Sequence, residues 1–233
     1  QSGNIPLAGA YLKQALNNNT RLKTEILPES ISTYYGDSAL ADYIEQIKPD
    51  YIGYTIYCWN IHRTFHLHNE LKKRFPFTSI AGGPEVTPDN YLLINHPFDY
   101  VIHGEGEQSL CQLMCRLTGT DEYPVSIREM LHSPYLDNSF ENYIEKTMFL
   151  ETQRGCPYEC AFCYYNKSRK EIIQFSEESV IKAIQYAYEN PDINQVYLMD
   201  PSLNTRTNLK SLIEQIIRIN QNIISTSLSL SNH

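Results

Sequence analysis

The chain has 233 residues, enough to bury a sizeable core in one large or two modest domains. Apolar residues make up 42% and charged residues 20%, a balance that excludes an intrinsically disordered chain. A net charge of −8 and a pI near 5.4 leave no electrostatic footprint for nucleic acid or an anionic membrane, and no apolar run reaches the roughly 18–20 residues of a bilayer span.

The first element is a helix over Pro6 to Leu16, with Leu7, Ala10, Tyr11 and Ala15 on one face. Lys23 to Leu27 reads as a short strand. A helix from Ser38 to Lys48 carries Leu40, Tyr43, Ile44 and Ile47 at helical spacing. Pro49-Asp50 interrupts it, and Tyr51 to Ile56 follows as a buried strand. Ile61 to Arg74 is helical, Thr78 to Ala81 a strand ending in Gly82-Gly83-Pro84-Glu85, and Asp89 to Asn95 a further helix. Asp99 to Ile102 is a strand ending at Gly104-Glu105-Gly106-Glu107, and Ser109 to Leu117 closes the region as a helix. Alternating strands and helices imply a parallel sheet, expected to be doubly wound. Such folds normally open with a strand rather than a helix, so a further strand is expected upstream of Gln1.

Residues 118–146, with Pro124 and Pro134, read as a linker between a domain over 1–117 and a second over 147–233. The second begins with a strand from Thr147 to Thr152. A helix follows, with Ser176 as N-cap, Glu177 and Glu178 in its first turn, and Val180, Ile181, Ile184, Ala187 and Tyr188 on its apolar face. Gln195 to Met199 is a strand with Asp200 at its carboxyl end. Leu209, Leu212, Ile213, Ile216 and Ile217 stripe the next helix, and Ile223 to Leu230 is a last strand without a following helix. The chain is thus expected to be cut at both ends and inactive by itself.

The chemistry concentrates in Arg154-Gly155-Cys156-Pro157-Tyr158-Glu159-Cys160-Ala161-Phe162-Cys163. Three of the six cysteines crowd into this loop, which points to metal chemistry in a reducing compartment, the cytoplasm, rather than to a disulfide framework. Thiolates suit iron–sulfur clusters and zinc. A C-x3-C-x2-C loop can hold three irons of one cuboidal cluster and leave the fourth open. A closed zinc site would need a fourth, distant ligand.

Elsewhere, His62, His66 and His68 fall on one helix and read as a solvated face. Cys111 and Cys115, four residues apart, read as buried small apolar residues. Glycines at strand ends either make tight turns or let the backbone approach a bulky ligand. Asp200 is a polar contact at a strand end or a turn aspartate, and Glu105 and Glu107 are cofactor contacts or a helix start.

The cysteine loop resembles the signature of the radical S-adenosylmethionine (SAM) superfamily, C-x3-C-x-aromatic-C after the first barrel strand, with Phe162 at the aromatic position. The resemblance implies a [4Fe–4S] cluster on Cys156, Cys160 and Cys163 and a partial (β/α) barrel. Its open iron would chelate the amino and carboxylate groups of SAM, and an electron would cleave SAM to methionine and a 5′-deoxyadenosyl radical. Asp200 and Asn204 stand where many members carry a Gly-Gly-Glu motif contacting the SAM amine, and are the candidate substitutes. Residues up to Leu117 resemble the Rossmann-like cobalamin-binding-type domain fused ahead of such barrels. The matching stretches are Asn4-Ile5-Pro6-Leu7, Tyr57-Cys58-Trp59-Asn60, Gly82-Gly83-Pro84-Glu85 and Gly104-Glu105-Gly106-Glu107. A bound cobalamin would lie across Thr55, Gly82, Gly83 and Gly104.

The D-x-H-x-x-G motif that supplies a lower axial histidine is absent from the sequence. The lower face would then be empty, water-bound or covered by a side chain near Tyr57 to Asn60. The resemblance implies reductive SAM cleavage followed by hydrogen abstraction or cobalamin-dependent methyl transfer. It also implies a small reductant such as flavodoxin or ferredoxin, while the acidic charge balance and the lack of a long apolar run point to no nucleic-acid or membrane partner. A non-catalytic cofactor-binding module and a structural zinc protein are the alternatives. The substrate is not legible here.

Overall fold

The computed structural model describes residues 6–17, 19–32, 34–121, 132–137, 139–140, 146–163, 165, 171–221 and 227–230. The chain divides into two compact units, one of Leu27–Glu122 and one of Gln1–Ile26 together with Tyr123–His233. Helix α1 (Leu7–Leu16) therefore belongs with the C-terminal part of the chain, although the sequence assigns it to a domain over 1–117. Asn4 and Ile5, most of the expected linker and the start of the last expected strand lie outside the described residues.

The unit Leu27–Glu122 contains a short helix α2 (Glu29–Ser32) and α3 (Asp37–Ile47), then β1 (Tyr51–Thr55), α4 (Ile61–Arg74), β2 (Thr78–Gly82), β3 (Tyr100–Val101) and α5 (Gly106–Thr118). Helix α3 stops where Lys48 turns left-handed (φ 50°), its N–H bonded to the Ile44 carbonyl, with Pro49 next. Leu40, Ala41 and Ile44 of α3 pack on Leu67 and Leu71 of α4 and on Phe75 and Phe77. The strands pair in parallel, in register from Tyr51↔Thr78 to Thr55↔Gly82 and then Ile80↔Tyr100 and Ala81↔Val101. Their order is consecutive, so the reversal that would make the sheet doubly wound does not occur among the described strands.

The sequence reading needs correction at three points in this region and just before it. Residues 22–28 pair with no strand among the described residues: their alternation matches alternate exposure, but a strand also needs an edge to bond to. The expected helix over 89–95 shrinks to a 3-10 turn at Tyr91–Leu93, confined between Pro88 and Pro97 and capped by the Asn90 side chain. His68 is only 1% exposed and does not share the solvated face of His62 and His66. It sits edge-on to Tyr54, Phe77 and Phe98, with centroids 5.0–5.8 Å away. Burial, with Lys72 nearby, lowers its pKa against the raising effect of the Pro97 carbonyl.

The other unit continues after α1 with β4 (Thr147–Leu150), β5 (Gln153–Arg154), β6 (Ile173–Gln174), α6 (Glu177–Glu189), β7 (Gln195–Leu198), α7 (Leu209–Gln221) and β8 (Ser227–Leu230). β4, β7 and β8 form a parallel sheet in that order, joined through α6 and α7, the repeating unit of a (β/α) barrel. Ser176 caps α6 as read, accepting from the Ser179 N–H at 3.1 Å. Met148, Leu150, Val196 and Leu198 of the sheet pack against Val180, Ala183, Ile184, Ala187, Leu212 and Ile216. Tyr11 of α1 completes this core, its ring edge-on to Phe175 at 6.2 Å. The short ribbon β5–β6, antiparallel with Gln153↔Gln174 and Arg154↔Ile173, was not legible in the sequence, because two residues a side carry no period.

Candidate functional site

In the sheet unit the strand carboxyl ends carry all four residues expected to meet a large planar ligand, and the structure separates their roles. Thr55 ends β1, and its carbonyl accepts from Asn60 Nδ2 at 2.9 Å, while Asn60 Oδ1 accepts the Tyr57 N–H at 2.8 Å. That bracket fixes Ile56 to Trp59 as a tight loop before α4. Gly83 has φ 110°, and a Cβ on it would lie 2.8 Å from both the N and O atoms of Ile56. Its missing side chain is thus required by the chain's own backbone. Gly104 is also left-handed (φ 74°), but nothing lies within 4 Å of its Cβ position. Gly82 has room as well, with the Ile102 carbonyl 3.8 Å away. Gly104 and Gly82 leave open space at the strand ends, and Gly83 joins them.

Beside them, Trp59 is 76% exposed and stacks on Tyr57 with centroids 4.5 Å apart and planes 9° from parallel. Burial raises the Tyr57 phenol's pKa. Cys58 between them is exposed. His103, exposed at the end of β3, is held through Nδ1 by the Val86 carbonyl at 2.9 Å.

In the barrel unit the cysteine loop leaves the ribbon at Gly155 and returns to it at Ile173. Gly155 (φ 93°) is the neck: a Cβ there would meet the Glu171 carbonyl oxygen at 2.1 Å. Its N–H donates to the Tyr165 hydroxyl at 3.1 Å. Cys156 and Cys163 are half-buried and Cys160 exposed, all three as free thiols. The Cys163 N–H bonds to the Cys160 carbonyl, closing a turn between two of the three. Among the described residues no three His, Cys, Asp or Glu side chains converge as a single metal ion requires. A cuboidal cluster places each thiolate on its own iron and does not need that convergence. Three free thiols on one tethered, accessible loop are a donor set that fits it.

Phe162, 94% exposed, stands between Cys160 and Cys163, and Asn204 is exposed on the 3-10 turn Leu203–Thr205. Asp200 is placed differently from a residue reaching outward. It is 8% exposed, and its carboxylate accepts the Thr152 and Gln153 N–H groups at 2.8 and 2.6 Å and the Thr152 hydroxyl at 2.9 Å. Burial raises its pKa, against those hydrogen bonds and the positive charge of Arg206. Glu107 is buried at the start of α5, and Cys111 and Cys115 are buried within that helix. Sequence reasoning did not single out Thr152, Gln153 or Arg206, since isolated polar residues give no pattern until the fold brings their partners.

A family model for the B12 binding domain matches residues 4–114. The cobalamin-dependent radical SAM methyltransferase TokK of Streptomyces tokunonensis is 28% identical over 232 residues, covering 84% of this chain and 34% of TokK. The chain thus matches a B12-binding domain over residues 4–114 and is similar over most of its length to a cobalamin-dependent radical SAM methyltransferase. A second relative is the 2-(S-pantetheinyl)-carbapenam-3-carboxylate methyltransferase of Streptantibioticus cattleyicolor. It is 29% identical over 187 residues, 65% of this chain and 27% of the relative. The chain thus spans about a third of the length of the curated relatives it matches.

Among solved structures, the cobalamin-dependent S-adenosylmethionine radical enzyme OxsB with aqua-cobalamin bound has a TM-score of 0.73 at 17% identity, over 96% of this chain and 36% of OxsB. The radical SAM methyltransferase TsrM from Kitasatospora setae, with cobalamin and a [4Fe-4S] cluster, has a TM-score of 0.68 at 16% identity, over 93% of this chain and 49% of TsrM. At those identities the likeness establishes the fold alone: a Rossmann-like parallel sheet and a second parallel sheet built from strand–helix units. No helix among the described residues is long and apolar enough to cross a membrane.

Proposed function

We propose that this chain is the cobalamin- and cluster-carrying part of a cytoplasmic radical SAM methyltransferase that acts on an unactivated carbon. The observation that carries the reading is the loop of three free thiols, closed at its neck by Gly155 and rising from the first strand of a (β/α) sheet. The methyltransferase names of the relatives support it. When bound, the cluster with SAM supplies a carbon-centred radical and cobalamin carries the methyl group.

The chain's residues do the holding. Cys156, Cys160 and Cys163 would hold the cluster, and the exposed Phe162 and Asn204 would be available to SAM. Gly82 and Gly104 keep the strand ends clear for the corrin. Trp59, flat, exposed and stacked on Tyr57, would offer the corrin a flat aromatic surface. Accessible cluster thiols also allow a small electron carrier of the flavodoxin or ferredoxin kind to deliver its electron.

The test uses the full-length protein, reconstituted anaerobically and assayed for iron, corrinoid absorbance and 5′-deoxyadenosine. Replacing any one of Cys156, Cys160 and Cys163 by Ala should remove most of the iron and abolish SAM cleavage, and replacing Cys115 should change neither. Gly82→Leu, which adds bulk where the chain itself leaves room, should lower corrinoid occupancy with iron unchanged. A full cluster and undiminished cleavage in a Cys160→Ala variant would refute the assignment.

A further inference from the structure

The cysteine loop is held at its root by a segment that nothing in its own sequence announces. β4 ends at Leu150 and β7 at Leu198, and the Met199 N–H still bonds to the Leu150 carbonyl at 2.9 Å. Beyond that the two chains part, and the contacts pass to side chains. From β7, Asp200 takes the backbone N–H groups of both Thr152 and Gln153, and the Thr152 hydroxyl. Arg206 donates to the Thr152 carbonyl at 2.5 Å and to the Phe175 carbonyl at 2.9 Å, so one guanidinium ties together the outgoing and returning legs of the loop. The Gln153 side chain donates to the Ser202 carbonyl at 2.8 Å and to Thr205 Oγ1 at 3.0 Å.

All five residues Thr152, Gln153, Asp200, Ser202 and Arg206 are buried. Cys156 follows three residues after Gln153. A buried carboxylate and guanidinium are costly to bury unless their charges offset each other, and here the charge of each favours the ionised form of the other. Both oxygens of Asp200 point at the chain itself. This leaves the residue no open face for a ligand.

We propose that Asp200 and Arg206 are positioning residues: together they set where the root of the cysteine loop lies relative to the strand ends, and so where the three cluster thiolates stand. The proposal rests on the reading that those thiolates hold a cluster. It assigns Asp200 no direct contact with SAM.

The experiment uses the full-length protein, reconstituted anaerobically, in wild type and in the variants Asp200→Ala, Asp200→Asn and Cys156→Ala. Iron content, the electron paramagnetic resonance spectrum of the reduced cluster without SAM, and SAM affinity per cluster are measured on each. Asp200→Ala should lower iron content and alter the spectrum before any SAM is added. Asp200→Asn keeps an oxygen for both amide groups and should restore the spectrum towards wild type, with SAM affinity within about threefold, since no charge-assisted contact to SAM is lost. The Asn variant also keeps the test decisive if the Ala variant does not fold.

A wild-type spectrum and iron content in a folded Asp200→Ala protein would overturn the proposal and leave the cluster reading standing. So would a tenfold or larger loss of SAM affinity in Asp200→Asn with the SAM-free spectrum unchanged, which would make Asp200 a contact residue. A wild-type protein that takes up no cluster, or a Cys156→Ala protein that keeps it, would overturn the cluster reading and this proposal with it.

Discussion

Gly82, Gly83 and Gly104 look alike in the sequence, yet Ala substitutions should separate them into three classes. At Gly83 a Cβ would sit 2.8 Å from the Ile56 backbone N and O atoms, and φ is 110°. Overpacking against backbone costs about 1–3 kcal/mol, and a left-handed conformation about 1–2 kcal/mol more for a residue with a Cβ, so Gly83→Ala should cost roughly 2–5 kcal/mol. At Gly104 only the conformational part applies, because its Cβ position is open, which leaves about 1–2 kcal/mol. At Gly82 neither applies, and Ala should be neutral or stabilise by up to about 1 kcal/mol through the unfolded chain.

Trp59 is the only tryptophan, three residues from Ile56 and stacked on Tyr57, so its fluorescence reports on this end of the sheet. In urea unfolding, with m of about 2 kcal/mol/M, the Gly83→Ala midpoint should fall about 1 M below that of Gly104→Ala. A Gly83→Ala midpoint equal to or above that of Gly104→Ala would refute the apposition of Gly83 to β1. The same geometry makes a bulky residue at Gly83 a poor probe of ligand binding, since it would break the sheet end first.

At the opposite edge of the same sheet, burial pushes the Asp99 carboxyl upward, but hydrogen bonds from Lys72 and Ser79 outweigh it and hold its pKa at about 2, below the ordinary 3.8. A depressed carboxyl stabilises the fold in full above its unfolded pKa and loses that contribution as pH falls towards the folded one. Unfolding midpoints of the sheet unit should therefore drop between about pH 4 and pH 2 in wild type and drop less in Asp99→Asn; identical profiles would count against the network. Tyr11→Ala should destabilise the barrel unit by about 3–5 kcal/mol, the cost of emptying a buried aromatic site. Hydrogen exchange should then speed up in α6 and not in α4, and equal acceleration in both helices would contradict the assignment of α1.

The long amphipathic elements were legible because their period survives in the sequence: α4 and α6 have the expected extents to within a residue or two, and the strands Tyr51–Thr55 and Gln195–Leu198 fall where expected. The cysteine loop was legible because three like ligands at fixed spacing are rare by chance. What the sequence hid depends on partners far along the chain. The alternation of Lys23 to Leu27 looks like a strand, and only the fold reveals that no edge among the described residues receives it. His68 shares a helix with two solvated histidines, and its burial is decided by Tyr54, Phe77 and Phe98 from other elements. Asp200 was noticed for its place at a strand end, while its partners Thr152 and Gln153 lie nearly fifty residues upstream.

Helix α1 has a consequence for how the chain is made. Tyr11 leaves the ribosome well before the ring it packs against: Phe175 follows about 160 residues later, and at synthesis rates of about 5–20 residues per second that is a wait of roughly 10–30 seconds. In that interval every described strand of the sheet unit is translated, from Tyr51 to Val101, and its described core clusters draw on no residue of α1. The sheet can therefore close first, while the apolar stripe of α1, with Tyr11 and Ala15 on it, stays exposed to solvent and to chaperones. The later emergence of β4, β6 and α6 gives that stripe its first permanent cover, and the same event brings Arg154 under the Tyr11 ring, 4.6 Å from its centre. Helix α1, made before the sheet unit, is thus buried only after it, beside the root of the cysteine loop.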